Sequence, residues 1–365
     1  MAIEMTSGDI FTPEQLSYHA KVYAGPGAGK THFLVENVKN IIANNPQIVQ
    51  SRARKVLCVT YTNAAVDEIK RRLDKFTDHV EVYTIHGFII EHIIQPFQQD
   101  LRDIIESDFG ITVKSEGKIS SQVEGLGILH GVDKEEIYDF VRQTNPVEFA
   151  NDEFEYSKKA MGDIEVNCSA FAASISNRTT RQIELKAPSK IDGRHVKPIK
   201  KYIWSVVKKL THNEILYFGY RILESNPTAV YSIRVKFPFM LVDEFQDTNP
   251  LQTSLIKLIG QKSTIIGIVG DVAQSIYSFQ GARPTDFKNF SIEGDRELKE
   301  YVINGNRRST ENIVNFCNFL RQSDDEVLQL SQRPYNTAGE KEQAEAKKIH
   351  FLIGNSQIIY NPKYS

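Results

Sequence analysis

Three cysteines in 365 residues, Cys58, Cys168 and Cys317, are too few and too widely spaced for a disulfide framework or a zinc site. They fit a reducing compartment, and a cytoplasmic location is expected. No apolar run approaches the roughly 20 residues that a membrane-spanning helix needs. The first residues, MAIEMTSGDIF, lack the basic and apolar blocks of an export signal, so no membrane partner is expected. A strong charge of one sign is missing as well. The formal net charge is −2, so any surface for nucleic acid must be local. What remains is ordinary for a globular protein, 41% hydrophobic and 25% charged, at a length that holds about two or three domains.

Against that plain background one stretch stands out, KVYAGPGAGKT from Lys21 to Thr31. A short apolar strand runs into a glycine-rich turn, and Phe33, Leu34, Val38, Ile41 and Ile42 then recur at helical spacing. Strand, turn and helix in that order make a phosphate-binding loop. Gly25, Gly27 and Gly29 let backbone N–H groups converge on an oxyanion at the positive helix end. Ala24, Pro26, Ala28 and His32 complete the loop and its exit. Lys30 is placed for the β- and γ-phosphates and the Thr31 hydroxyl for Mg²⁺, so a nucleoside triphosphate, ATP, is the expected cofactor. Upstream, Thr12 and Pro13 read as a helix start. Gln15 has an amide able to read an adenine edge.

Further strands follow at Lys55 to Val59 and Val80 to Tyr83. Each opens into small polar and aromatic residues: Thr60, Tyr61 and Asn63 after the first, Thr84 and His86 after the second. The C-terminal ends of parallel strands are where open α/β sheets bind ligands. Hydroxyl, amide and imidazole groups there can bond a sugar-phosphate backbone, and Tyr61 can stack on a base. From Glu91 to Thr211 the strand and helix alternation lapses. Within this insertion Asp133 and Glu136 have capping-box spacing over a helix to Arg142, and Gly125 and Gly127 signal turns. Between Arg178 and Lys209 ten Lys and Arg residues face only Glu184 and Asp192. Such a surface attracts phosphate backbones.

The sheet pattern resumes at Phe237 to Val242, an apolar run that ends in Asp243 and Glu244. A carboxylate at a strand tip beside a phosphate loop holds Mg²⁺, which assigns Asp243, and Glu244 is placed to deprotonate an attacking water. Another strand, Thr264 to Val269, leads to Gln274, a neutral amide suited to sensing the γ-phosphate. Tyr277 and Phe279 follow with faces for stacking bases. Leu298 to Ile303 reads as a strand before Asn306-Arg307-Arg308-Ser309, with Ser309 as N-cap of a helix to Leu320. Arg308 there can reach a phosphate in a neighbouring domain. The tail is polar until a last strand at Ile349 to Ile353.

With these segments in order the chain resembles the UvrD/Rep/PcrA-like group of superfamily 1 helicases. The resemblance covers about the first 320 residues, through AGPGAGKT, VTYTNAAVDEIKRRL, TIHGF, LVDEFQDTNPLQ, GDVAQSIYSFQGA and NRRS. It implies an α/β fold: a RecA-like P-loop domain with a parallel sheet, a mostly helical insertion and the start of a second RecA-like domain. The expected boundaries are 1–92 and 212–297 for the two parts of the ATP-binding domain, 93–211 for the insertion and 298–365 for the opening of the second domain. The resemblance implies ATP-driven stepping along single-stranded or partly duplex DNA, typically 3′ to 5′. By it Lys30, Glu244, Gln274 and Arg308 are catalytic and Thr31 and Asp243 serve the metal. The positions Thr60, Tyr61, Asn63, Thr84, His86, Tyr277 and Phe279 line the DNA.

Four features depart from the group. Gln15 stands unusually close to the loop, Gln280 replaces an arginine, and Arg307 replaces the tyrosine that stacks on adenine. No later motif of a second RecA-like domain follows Ser309. Three roles are therefore open: part of a longer helicase, a nucleotide- and DNA-sensing subunit of an anti-phage system such as Gabija, or a motor partnered with a nuclease supplied in trans.

Overall fold

The computed structural model describes residues 2–119, 121–122, 136, 139–140, 142–143, 200–275, 282–321 and 328–347. Seven strands make one wholly parallel sheet: β1 (Ile3–Met5), β2 (His19–Ala24), β3 (Val56–Thr60), β4 (Val80–Thr84), β5 (Phe239–Val242), β6 (Ile265–Gly270) and β7 (Leu298–Ile303). Their spatial order is β1, β7, β2, β6, β5, β3, β4. The strands expected at Lys55, Val80, Phe237, Thr264 and Leu298 all form, each starting within two residues of its expected first residue.

Burial on both faces explains why the central strands read as unbroken apolar runs. Along β3, Val56 and Cys58 face one core while Leu57 and Val59 face the other; along β5, Phe239 and Leu241 alternate with Met240 and Val242 in the same way. The first core takes α1 (Lys30–Asn44) through Phe33, Leu34 and Val38, and α2 (Asn63–Leu73) through Val66, Ile69 and Leu73. The second takes α3 (Gln98–Phe109), α4 (His212–Ser225) and α5 (Pro250–Gly260). Capping boxes at Thr211/Glu214 and Asn249/Gln252 start α4 and α5, so both helices are fixed in register by local sequence.

The insertion differs from its expected form where it is described. Ile111, Val113, Ile119, Tyr202, Ile203 and Trp204 belong to the same core as β3, β5 and β6. Lys200, counted among the basic surface residues, is wholly buried and ion-paired with Glu214. Glu214 also accepts from the Trp204 indole at 3.2 Å and from the Thr211 backbone at 2.9 Å. The buried charge is thus multiply bonded, as burial demands. Residues 178–197 of the basic run lie outside the described residues, as do Gly125, Gly127 and the strand expected at 349–353. Of the helix expected to end at Arg142, Glu136, Asp139, Phe140 and Arg142 are helical.

Three expectations are corrected. The strand expected to open a second domain, β7, lies inside the first sheet and pairs with β2 from His19↔Leu298 to Ala24↔Ile303. Edge strand β1, unexpected from sequence, pairs with β7. The helix start at Thr12 yields a single 3₁₀ turn, Gln15–Ser17, and the helix expected from Ser309 begins at Glu311 (α6, Glu311–Arg321). Among the described residues no helix is long and apolar enough to cross a membrane.

Candidate nucleotide and nucleic-acid site

At the C-terminal end of β2 the chain turns through Gly25–Gly29 into α1. Gly27 and Gly29 have φ of 69° and 87°, the left-handed region that glycine alone enters without strain. Gly29 is the N-cap of α1, which aims the first-turn N–H groups into the loop. Space demands glycine too. A Cβ on Gly27 would stand 2.7 Å from Asn306 Oδ1 and 2.8 Å from Arg308 Cβ, and one on Gly29 would stand 2.8 Å from Ser7 Cβ. Thr31 is half-buried in the first turn, and His32 points to solvent.

Lys30 is buried, and its Nζ lies 3.1 Å from Glu244 Oε2. The glycine turn and the acidic tip of β5 therefore face one another, as the sequence requires of a single site. Glu244 is a third exposed, so its pairing with Lys30 positions more than it stabilises. Its backbone is left-handed, φ 50°, an unusual conformation for a residue with a side chain. That turn lets the Glu244 N–H donate to Asp243 Oδ1 at 3.0 Å. Asp243 is 4% exposed, and burial first, then the adjacent Glu244 charge, push its carboxyl up to about 7 against the opposing pull of Lys30. A buried carboxylate raised in this way calls for a further cation. The Asp243 carboxylate and the Thr31 hydroxyl are hard oxygen donors of the kind that suit Mg²⁺.

Behind the acidic tip lies a relay that the sequence did not assign. Buried Gln246 donates its amide N–H to Glu244 Oε2 at 2.8 Å and accepts from the Asp271 backbone at 2.9 Å. A Cβ on Gly270 would come within 2.6 Å of that amide oxygen, so this close approach needs glycine. Buried Asp271 accepts from Gln274 Nε2 and from the Arg321 guanidinium. The expected sensor Gln274 is thus joined to Glu244 through Asp271 and Gln246. Arg307 and Arg308 have exposed side chains, but the Arg307 N–H donates to the Gly27 carbonyl at 2.9 Å. Gln15 Oε1 accepts from the Thr12 N–H at 2.8 Å, which commits that oxygen to its own turn.

The nucleic-acid candidates gather at the neighbouring strand ends. Thr60 and Thr84 are register partners at the tips of β3 and β4. Thr84 Oγ1 caps the next helix by accepting from the Gly87 N–H at 3.2 Å. Thr60 Oγ1 and His86 Nε2 are buried without a hydrogen-bond partner among the described residues. Burial, then the nearby His212, lower the His86 imidazole to about 4, so it is neutral at pH 7. Tyr61 is half-buried, and Asn63 is exposed at the start of α2. Tyr277 and Phe279 lie outside the described residues.

The UvrD/REP helicase N-terminal domain family matches residues 12–294. A probable DNA helicase II homolog of Mycoplasma capricolum is 26% identical over 301 residues, 82% of this chain and 38% of its own length. The Gabija protein GajB of Bacillus cereus is 27% identical over 339 residues, 84% of this chain and 47% of its own. The ATP-dependent DNA helicase PcrA of Staphylococcus aureus is 28% identical over 337 residues, 88% and 40% respectively. The chain thus spans less than half the length of these curated relatives.

Proposed function

Because the chain belongs to the UvrD/REP helicase N-terminal domain family, we propose that it binds ATP with Mg²⁺ and is the nucleotide-binding part of a cytoplasmic DNA translocase that moves 3′ to 5′ on single-stranded DNA. The observation that carries this reading is the 3.1 Å approach of Lys30 to Glu244 across the phosphate loop. When ATP enters, the N–H groups of the loop and of the first turn of α1 hold the β-phosphate oxygens, and Lys30 turns from Glu244 toward the γ-phosphate. Glu244, released, accepts a proton from the attacking water, its carboxylate still oriented by the Gln246 amide. Thr31 and Asp243 would hold Mg²⁺, which would supply charge neutralisation on the phosphates. Arg308, whose Cβ packs beside Gly27, is the cation placed to meet the γ-phosphate from outside the sheet.

In this reading DNA crosses the tips of β3 and β4, where Thr60 and His86 have polar atoms without partners among the described residues. Calorimetry on Lys30→Ala and Glu244→Gln tests this reading. Lys30→Ala should lose ATP binding, and Glu244→Gln should keep binding while hydrolysis falls about 10²- to 10⁴-fold. Equal ATP affinity in Lys30→Ala and wild type refutes it.

The similarity to GajB supports a second reading, a nucleotide- and DNA-sensing subunit of a defence assembly in which a partner supplies nuclease chemistry. Single-stranded DNA should stimulate ATP turnover under both readings. Strand separation coupled to turnover identifies the motor; turnover without it, even in a chain extended past Ser365, identifies the sensor.

A further inference from the structure

Resting on the ATP-binding reading above, we propose that Asn306 and Gln329 are positioning residues that preset the phosphate loop, gripping it from a strap that follows the sheet. The two side chains converge on one atom. Asn306 Nδ2 donates to the Pro26 carbonyl at 2.7 Å and Gln329 Nε2 donates to the same carbonyl at 3.1 Å. Both residues are buried, at 3% and 2% exposure, and Asn306 Nδ2 also donates to Gln329 Oε1 at 3.3 Å. The next carbonyl, that of Gly27, accepts from the Arg307 backbone. Two successive carbonyls of the loop are therefore held from outside.

In a trans peptide the N–H points away from the carbonyl, so fixing the Pro26 carbonyl outward fixes the Gly27 N–H inward, toward the phosphates, while the Ala28 N–H, which shares its peptide with the Gly27 carbonyl, closes the turn on the Gly25 carbonyl at 3.2 Å. The grip thus pre-organises the anion-binding face that the glycines only permit. Glycine at position 25 is part of the same fit, because a Cβ there would run into the Gln329 amide.

The strap is itself built to hold its shape. Gly305–Asn306 and Leu330–Ser331 pair as two short parallel strands. Asn306 Oδ1 accepts from the Arg308 and Ser309 N–H groups at 3.0 and 2.8 Å, so the residue that grips the loop also sets the turn carrying Arg308. Gln329 is fixed by reciprocal bonds with Asn318 on α6, at 3.0 and 2.7 Å. The far end of α6 is anchored by Arg321 on Asp271. One bracket therefore touches the phosphate loop at one end and the residue that holds Gln274 at the other.

The test compares MgATP dissociation constants of the full chain carrying Gln329→Met, Gln329→Glu and Gln329→Lys, with Lys30→Ala and melting temperatures as controls. Gln329→Met fills the space but donates nothing, and should weaken binding roughly three- to tenfold, the worth of one neutral hydrogen bond. Gln329→Glu sets a carboxylate against the Pro26 carbonyl and should weaken it further. Gln329→Lys keeps a donor but buries an ammonium and loses the acceptor for Asn306, so it should recover only part of what Gln329→Met loses, a partial rescue that a space-filling role does not produce. Amide exchange at Gly27 to Lys30 should quicken in Gln329→Met and less in Gln329→Lys.

Wild-type affinity in both Gln329→Met and Gln329→Glu, with Lys30→Ala impaired, overturns the positioning role and leaves the ATP reading standing. Undiminished binding in Lys30→Ala removes the ATP reading and this role with it.

Discussion

The tips of β2, β5 and β6 and the tips of β3 and β4 belong to one sheet, yet they treat their polar groups in opposite ways. Around the phosphate loop almost every buried polar side chain is bonded to another: Lys30 to Glu244, Glu244 to Gln246, Gln246 to Asp271, and Asp271 to Gln274 and Arg321. On the next two strands, Thr60 Oγ1 at the tip of β3 and His86 Nε2 just past β4 are buried with nothing to bond among the described residues. A satisfied network is rigid and arrives pre-organised for its ligand. A buried polar atom without a partner costs about 1–3 kcal/mol, a cost that a ligand able to bond it removes. The polar groups beside the phosphate loop are thus held by the protein itself, while two at the tips of β3 and β4 are left without a partner among the described residues.

Substitutions can break that contrast, and the largest effect is expected in the bonded half. Arg321→Met strands the buried Asp271 carboxylate and should lower stability by about 3–5 kcal/mol, read from urea denaturation. A change below about 1 kcal/mol would mean that the network holds little. The acid response comes next. His86 is lowered to about 4 from an ordinary value near 6.5, as is His19, buried at the start of β2 by desolvation first and the Arg296 charge second. A group depressed on folding contributes stability above its unfolded value and loses it as pH falls through the folded one. The two histidines should therefore make stability decline between about pH 6.5 and 4, offset in part by Asp243, whose raised carboxyl takes up its proton in the same window and stabilises the fold as pH falls. His86→Phe should remove more than half of the net slope, because what is left of it is His19 opposed by Asp243. An unchanged slope would show that His86 charges freely in the fold.

The smallest effect sharpens the contrast most. Thr60→Val removes a hydroxyl that has no partner among the described residues, and should leave the free protein unchanged or up to about 1 kcal/mol more stable while weakening single-stranded DNA binding. Destabilisation of the free chain by Thr60→Val would place Thr60 in the bonded half after all.

How much of this was legible in the sequence depends on whether the information was local. The phosphate loop, the acids after β5 and most strands are written in short runs whose apolar pattern and glycine placement suffice. The approach of Lys30 to Glu244 followed from both residues lying just past the tips of parallel strands. Gln246 stood inside a recognised motif, but its role depends on Asp271, 25 residues away and on another strand. The grip of Asn306 and Gln329 on Pro26 joins residues 280 and 303 apart, and nothing in their neighbourhoods announces it. The same blindness misplaced β7. Its pattern shows a strand but not which sheet it enters, and pairing with β2 is decided by the topology of the whole domain. Lys200 misled for the opposite reason: a lysine in a basic run reads as surface until its carboxylate partner, 14 residues on, is seen beside it.

The strand order has a consequence for how the chain acquires its shape. β2 and β3 are consecutive in sequence, yet β6 and β5 stand between them, and both are synthesised only after the long insertion. Of the strands that precede the insertion, β3 and β4 can pair with each other, but β2 must wait, unpaired, until residue 270 is available. Such delayed, non-local pairing is intrinsically slow and exposes sticky edges in the meantime. A nascent chain arrested short of β6 should accordingly depend on a holding chaperone, however intact its phosphate-loop sequence.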